Sequence, residues 1–186
     1  MLTFPTKFDM VDPILNLDHQ GKIIVRMSVN PQEIISQIEI GTSPLKNRIQ
    51  AINKLKKAEY KVGILIAPVV LVDDWKEKYT ELVKYLYENL DEEVKKDIFF
   101  EIIFMTYSYI HKAINQEAFP NAMNLYNKDL MTVRGRGRYT YKKEVKEEES
   151  EFFKELLGKY FKDNEIKYIV WNTALANYVN LWYYVY

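Results

Sequence analysis

Cysteine is absent from the 186 residues of the chain. This absence excludes disulfides, thiolate zinc sites, cysteine nucleophiles and iron–sulfur clusters held by this polypeptide. The two histidines, His19 and His111, lie far apart in the sequence and leave little for a histidine-rich metal site. The sequence therefore predicts no metal site of its own.

An excess of charge of either sign is also lacking, because 26 basic residues face 26 acidic ones. No overall field attracts the protein to nucleic acid or to anionic lipid, so any site for a polyanion must be local. No run reaches the roughly 18 apolar residues of a membrane span, and no basic-then-apolar signal opens the chain. We expect a cytoplasmic protein with no membrane partner, whose 48% hydrophobic residues suffice for one core.

Strand and helix patterns alternate between residues 22 and 118. Apolar and β-branched segments predict strands at about 23–29, 62–66 and 98–104. Helical spacing follows each strand and predicts four helices: a short one ending near Gln37, one ending near Ala58, one with the stripe Trp75, Tyr79, Leu82, Val83 and Leu86, and one over 107–117. About three successive βα units imply an α/β fold with a parallel sheet and right-handed crossovers.

Turn-forming and proline residues precede three of these helices. Asn30-Pro31, Gly41 to Pro44, and Asp73 or Asp74 are expected to cap the helix starts. Ligands of parallel sheets bind at the carboxyl ends of the strands. The residues expected at those ends are 28–31, 67–68 and 105–108.

The last third of the chain has a different character. Arginines alternate with glycines and then with tyrosines over 134–141, which predicts a hairpin or an exposed loop. From Lys128 to Lys146 seven basic residues face two acidic ones. A helix is expected from about Glu147 to Phe161 and a strand over 166–171, followed by an aromatic tail.

Several motifs in register resemble the spore photoproduct lyase family of radical S-adenosylmethionine enzymes. They are Ser28-x-Asn30-Pro31, Glu39-x-Gly41-Thr42, Arg48, Ala51, Tyr60-x-x-Gly63, Ile66-Ala67-Pro68, Trp75, Tyr79, Phe100-Glu101-Ile102-Ile103, Lys112, Phe119-Pro120 and Arg138-Tyr139-Thr140-Tyr141. Each motif alone is weak, but their common order over residues 3–171 is a strong signal. The resemblance implies DNA repair by reversal of a thymine dimer lesion, on a partial (βα) barrel of the radical-SAM type.

The resemblance covers only the later, carboxyl-terminal part of the family's chain. The family's three cluster-binding cysteines and its hydrogen-donating cysteine have no counterpart here. Reductive cleavage of the sulfonium needs a low-potential electron source in contact with it. We therefore expect no catalytic residue and no [4Fe–4S] cluster in this chain, and no reaction without a cluster-bearing partner chain.

The resemblance also implies part of a cofactor pocket. Lys7, Ser28, Asn30 and Ala67 are the candidate S-adenosylmethionine residues, with binding expected to be weak and to require the partner. The placement agrees with the rule that ligands bind at strand ends. In the alternative interpretation, Ser28 and Asn30 only begin a helix and Lys7 is a solvated surface residue.

The glycine–arginine segment resembles the hairpin with which the family grips DNA. Arg134, Arg136, Arg138 and Tyr139 are the candidate DNA-binding residues, because arginines bind phosphate and tyrosine stacks on an extruded base. The alternative is a solvated basic loop, balanced by the glutamates Glu147, Glu148, Glu149 and Glu151.

Departures from the family pattern affect two places. Met105-Thr106 stands where the family usually has a His-Arg pair, and Phe8 stands where it tends to have a small polar residue. The tail after Trp171 has no family counterpart, and His111 is expected to be a surface or core residue.

Three functions remain open: one part of a split enzyme, an inactive truncated gene product, and a DNA-binding module without the chemistry. Residues 1–120 are expected to form half of a barrel, 121–171 the DNA-contacting extension and 172–186 the tail of unknown role. A half barrel that begins at strand 23–29 would expose an apolar edge. We expect that edge to pair with the missing part, to self-associate, or to be covered by residues 1–20 or 172–186.

Overall fold

Two β-sheets organise the computed structural model, which describes residues 1–118, 120 and 123–170. The eight strands are β1 (Leu2–Thr6), β2 (Ile23–Val29), β3 (Lys61–Val69), β4 (Phe99–Phe104), β5 (Thr106–Ser108), β6 (Met131–Gly135), β7 (Arg138–Tyr141) and β8 (Ile166–Val170). The main sheet is parallel throughout, in the order β1-β2-β3-β4-β8, and the smaller sheet is antiparallel, in the order β5-β7-β6.

Six α-helices accompany the sheets in the described part of the chain. They are α1 (Gln32–Ile38), α2 (Leu45–Lys57), α3 (Trp75–Asn89), α4 (Glu92–Lys95), α5 (Tyr109–Ala118) and α6 (Lys143–Tyr160), with a short 3₁₀ turn over Asp12–Ile14. None of the helices in the described ranges is long and apolar enough to span a membrane.

The predicted parallel βα arrangement is confirmed for β2, β3 and β4. The prediction was wrong at the start of the helix expected over 107–117, because residues 106–108 form β5 and α5 begins only at Tyr109. Helix α6 begins at Lys143, one turn earlier than expected, and the short helix α4 was not predicted. Phe119, the side chain of His111, Trp171 and the aromatic tail lie outside the described residues.

Strand β1 changes the expected edge of the sheet. Residues 2–6 pair in parallel with β2, from Leu2 opposite Ile23 to Thr6 opposite Met27. The prediction that β2 is the edge strand was therefore wrong. Of the three alternatives for that edge, coverage by residues 1–20 is the one observed. Pro5 weakened the strand signal in the sequence, but an edge strand tolerates a residue without an N–H.

The helix-capping predictions were confirmed only in part, because Asp74 occupies the N-cap position of α3 as predicted, whereas Asn30 does not occupy that of α1. The N-cap positions of α1, α2 and α3 are Pro31, Pro44 and Asp74, and none of these residues makes a side-chain capping hydrogen bond. Asn30 is fully buried, and its amide reaches across the strand ends instead of back to its own helix. Tertiary hydrogen bonds outweigh the local capping preference here.

The core has two unequal parts, one on each face of the main sheet. The larger part lies between the sheet and the helices and includes Ile64, Ile66, Leu82 and Phe153. A smaller cluster of Leu65, Ala67 and Ile103 lies on the opposite face, with Tyr168 and Val170 packed against it. Strand β3 is buried from Val62 to Val69 because both of its faces are covered, as its nearly continuous apolar run predicted.

A close contact on the second face requires glycine at position 63. A Cβ atom added there would lie 2.3 Å from Cζ of Phe99. The Lys167 ammonium lies over the same ring, 3.4 Å from its centroid. Nearby, Arg26 Nη1 donates to Glu101 Oε2 at 3.0 Å, so an ion pair also joins β2 to β4 across β3.

Candidate functional site

The carboxyl ends of β1, β2 and β3 bring together the four predicted cofactor residues. Lys7 follows β1 directly, Ser28 lies near the end of β2, and Asn30 follows that strand. Both Lys7 Nζ and Ser28 Oγ donate hydrogen bonds to the Ala67 carbonyl oxygen, at 3.1 and 2.8 Å. The convergence depends on β1, because that strand delivers Lys7 to the same end of the sheet as its neighbours.

Glu39 and Arg48 complete a buried charged network around this point. Glu39 Oε1 accepts hydrogen bonds from Lys7 Nζ at 2.5 Å and from Asn30 Nδ2 at 2.7 Å. Its other oxygen, Oε2, lies 2.8 Å from Arg48 Nη2. The side chains of Glu39 and Arg48 are 1% and 0% exposed, so one carboxylate links two cations away from water.

Backbone carbonyls satisfy much of the Arg48 guanidinium. Its Nε donates to the Ser43 carbonyl at 2.7 Å and its Nη1 to the Ser28 carbonyl at 3.0 Å. Nη2 also donates to Thr42 Oγ1 at 2.7 Å. Arg48 thus ties the end of β2 to the segment before α2.

Asn30 and Tyr79 extend the network toward the end of β3. Asn30 Nδ2 donates to the Pro68 carbonyl at 3.2 Å, and Asn30 Oδ1 accepts from the Tyr79 hydroxyl at 3.1 Å. The Tyr79 hydroxyl also accepts from the Val70 N–H at 2.9 Å. The polar atoms of the strand ends are therefore directed mainly at one another.

Burial and charge set the protonation of this network. Burial would raise the pKa of Glu39, but the adjacent Lys7 and Arg48 outweigh it and hold that pKa below its usual value. Burial lowers the pKa of Lys7, and the Glu39 carboxylate opposes that effect. Glu39 therefore remains ionised as the shared anion of the two cations.

The burial of Lys7, Ser28 and Asn30 bears on the alternative interpretation, in which Lys7 is a solvated surface residue and Ser28 and Asn30 only begin a helix. Lys7 is 6% exposed, Ser28 3% and Asn30 0%, so none of them is a surface residue. Their donors already serve Glu39 and the carbonyls of 67 and 68. Hydrogen bonds within the protein therefore hold all three side chains in position.

The predicted hairpin is confirmed as β6 and β7. Its turn has three consecutive residues with positive φ, at 96° for Gly135, 52° for Arg136 and 69° for Gly137. Two of these are glycines, which reach this conformation without strain. Residues 132–138 are exposed, and Arg134, Arg136 and Arg138 all lie in this stretch.

Tyr139 directly follows Arg138 on β7 but is half-buried, unlike the exposed arginines. It pairs with Tyr107 of β5, while Arg138 pairs with Ser108. The segment after β4, where Met105-Thr106 replaces the family's charged pair, thus becomes the strand that holds the hairpin. The hydroxyl of Tyr141 accepts a hydrogen bond from the Leu71 N–H at 3.0 Å and fixes β7 to the end of β3.

Sequence reasoning assigned no role to Glu39, Arg48 or Tyr79, although all three belong to the quoted motifs. A usable signal existed for Arg48, because it occupies the apolar face of α2 beside Leu45, Ile49 and Ile52. A charged residue at such a position needs a buried partner. Among the described residues, no group of three or more His, Cys, Asp or Glu side chains is placed to hold a metal ion.

Parallel strands with helices between them define an α/β protein, and its buried polar residues gather at the carboxyl ends of the strands, where ligands of such sheets bind. Comparison with known proteins identifies the family: the model for spore photoproduct lyase matches residues 1–170. The chain belongs to the spore photoproduct lyase family. The expected α/β fold with a parallel sheet is confirmed by the five parallel strands of the main sheet.

Curated relatives show the same relationship. The chain is 32% identical over 171 residues to the spore photoproduct lyase of Bacillus subtilis and 30% identical to that of Clostridium acetobutylicum, covering 90% of this chain and 50% of each relative. The chain thus spans about half the length of the curated relatives that it matches.

Solved structures agree with the sequence comparison. Spore photoproduct lyase complexed with dinucleoside spore photoproduct matches with a TM-score of 0.84 and 27% identity, over 91% of this chain and 51% of that one. A double mutant of spore photoproduct lyase, with bound AdoMet and dinucleoside spore photoproduct, matches over the same shares of the two chains with a TM-score of 0.83 and 26% identity.

Proposed function

We propose that this chain forms the carboxyl-terminal part of a spore photoproduct lyase-like DNA repair protein of the cytoplasm. Residues 1–120 supply half of the barrel and its strand-end site, and residues 121–171 supply the DNA-contacting hairpin, helix and strand. A cluster-bearing polypeptide supplies the cysteines that this chain lacks. The match of one family over residues 1–170 carries the proposal.

The hairpin supports contact with the DNA backbone. Its three arginines are exposed around a turn whose glycines allow close approach of the main chain to a phosphate. Lys128, Lys142 and Lys143 add positive charge near the base of the same hairpin. Because the net charge of the chain is zero, only a local excess of basic residues could attract a polyanion, and the hairpin region has such an excess.

Replacing Arg134, Arg136 and Arg138 together by alanine is expected to weaken DNA binding and to flatten its dependence on salt. Each arginine–phosphate contact releases about one counterion, so the slope of log K against log salt should fall by about two to three units. Fluorescence anisotropy with a labelled duplex, over a salt range of about 50 to 300 mM, measures this slope.

A matched control removes three exposed lysines outside the hairpin, Lys46, Lys84 and Lys159, by substitution with alanine. The net charge changes by the same amount, so a general field effect would appear equally in both variants. An unaltered slope in the arginine variant would place the DNA site elsewhere or show that there is none.

The isolated chain is expected to bind S-adenosylmethionine weakly or not at all. Lys7, Ser28 and Asn30 use their donors within the protein, and the cluster that would hold the methionine end requires cysteines that are absent. Isothermal titration calorimetry measures the affinity, and metal analysis of the purified chain should find no iron. Micromolar affinity without a partner would contradict this expectation.

The second candidate function is a DNA-binding module without the chemistry. This function is favoured because the hairpin is complete although the chain has no cysteine, and contacts between arginine and phosphate need no iron–sulfur cluster. Coexpression with a cysteine-bearing amino-terminal part discriminates the two: a soluble complex that repairs the lesion supports the split enzyme. An inactive gene product would neither form that complex nor bind DNA.

A further inference from the structure

Four tyrosines gather beside strand β7 of the hairpin, although they are spread over 33 positions of the sequence from 107 to 139. Tyr107 lies on β5, Tyr109 begins α5, Tyr126 lies in the segment before β6, and Tyr139 lies on β7. The ring centroid of Tyr139 is 5.0 Å from that of Tyr126 and 5.1 Å from that of Tyr109. Tyr107 lies 5.2 Å from Tyr126 and 5.4 Å from Tyr109. We call these four residues the tyrosine cluster.

The tyrosine cluster has a buried floor and an accessible upper ring. Tyr107 is 7% exposed, Tyr126 and Tyr139 are half-buried, and Tyr109 is 44% exposed. The Tyr109 N–H donates to the Gly137 carbonyl at 3.2 Å, which ties the exposed ring to the hairpin turn. The rings of Tyr107, Tyr126 and Tyr139 therefore pack against the ring of Tyr109 and support it.

Two members of the tyrosine cluster, Tyr107 and Tyr139, have a pKa above the usual value and are uncharged at neutral pH. Burial raises the pKa of Tyr107, and the nearby tyrosines reinforce that shift. Burial also raises the pKa of Tyr139, followed by its hydrogen bond with Tyr109. Neither of these two hydroxyls therefore repels a phosphate, and the flanking residues Arg136 and Arg138 are exposed.

We propose that the tyrosine cluster is a stacking surface for unpaired nucleobases, with Tyr109 as the ring that contacts the base. This inference rests on the proposed DNA contact of the hairpin and adds a preference for single-stranded segments. An aromatic ring can stack on the face of any base, whereas the bases of an intact duplex are already stacked on one another. The arginines of the hairpin bind the phosphates on either side of that base.

Replacement of Tyr109 by alanine tests the proposal, with Tyr109→Phe as the matched control. Stacking needs the ring and not the hydroxyl, so Y109F should keep the affinity for a labelled single-stranded oligothymidylate within about twofold. Y109A should weaken it by about 5- to 150-fold, the range that corresponds to loss of one stacked base. Affinity for a duplex of the same length and the salt slope should change little in both variants, because no phosphate contact is lost.

Fluorine NMR of protein labelled with 3-fluorotyrosine gives a second measurement that does not depend on the folding of Y109A. The resonance of Tyr109, assigned from its absence in Y109F, should shift when the single strand is added and shift less with the duplex.

The outcomes separate the two proposals. Unchanged single-strand affinity in Y109A, with a loss in the triple arginine variant, overturns the stacking surface and leaves the hairpin contact standing. Equal losses in Y109A and Y109F would mean a hydroxyl contact and would also overturn stacking. If the unaltered protein binds neither the single strand nor the duplex, both proposals fail.

Discussion

Glu39→Gln is expected to lower the free energy of unfolding by about 3 to 5 kcal/mol, the typical cost of removing one partner from a buried ion pair. The substitution keeps the size of the side chain but removes the anion shared by Lys7 and Arg48. Both cations would then remain buried without a countercharge. Urea unfolding followed by circular dichroism at pH 7 measures the loss.

Glu33→Gln is the matched control for this experiment. Glu33 pairs with Lys78 at 2.7 Å, but its side chain is 52% exposed. Solvent screens such a pair, so the free energy of unfolding of the variant should be close to that of the unaltered protein. Similar unfolding of the Glu39 and Glu33 variants would show that the strand-end network contributes little to stability.

Glu149→Gln is expected to stabilise the protein at alkaline pH by an amount on the order of 5 kcal/mol, since the pKa of Glu149 is raised from 4.5 to about 8 and each pKa unit corresponds to about 1.4 kcal/mol. Glu149 lies on α6 and is fully buried, and neither of its carboxylate oxygens has a hydrogen-bond partner among the described residues. Burial is the main cause that raises its pKa to about 8, with Glu148 adding to the shift and Lys146 opposing it.

The sign of the pH dependence follows from this raised pKa. The carboxyl of the unfolded chain ionises near 4.5, whereas that of the folded protein ionises near 8. The stability associated with Glu149 is fully present below the unfolded value and is lost as the pH rises through the folded value. The Tyr79 and Tyr141 hydroxyls face the same carboxyl from α3 and β7, and their pKa values are raised, chiefly by burial, so both remain neutral in this range.

Thermal unfolding at pH 5 and pH 8.5 measures the effect. The unaltered protein should lose stability between the two values, and Glu149→Gln should lose much less because glutamine does not ionise. Glu148→Gln is the control, since Glu148 is exposed and pairs with Lys76 at the surface. If the Glu149 and Glu148 variants show the same pH dependence, burial of the Glu149 carboxyl does not control stability.

Local pattern was sufficient to predict the parallel strands and the hairpin. The run Ile23 to Val29 is β-branched and apolar, and the observed strand has these bounds. Glycines at 135 and 137 predicted a turn because few other residues adopt positive φ without strain. Both features depend on residues that are adjacent in the chain, so sequence alone could determine them.

The candidate site was predictable only in part. Ser28 and Ala67 follow from the rule that ligands bind at strand ends, and family resemblance added Lys7. The rule could not indicate that Glu39 joins Lys7 to Arg48, because the three residues are separated by 32 and 9 positions and no local pattern relates them. Burial makes this pairing necessary, since an unpaired charge in the core is costly.

The sequence by itself determined the family, the strand–helix alternation, the basic hairpin and the lack of cysteine ligands. Tertiary structure alone decided that residues 2–6 cover the edge of β2, that Asn30 binds across the strand ends instead of capping its helix, and that four distant tyrosines meet at one surface. The physical reason is the same in each case. Local propensity is a weak preference, and it yields to the hydrogen bonds and apolar contacts that form only when distant segments pack together.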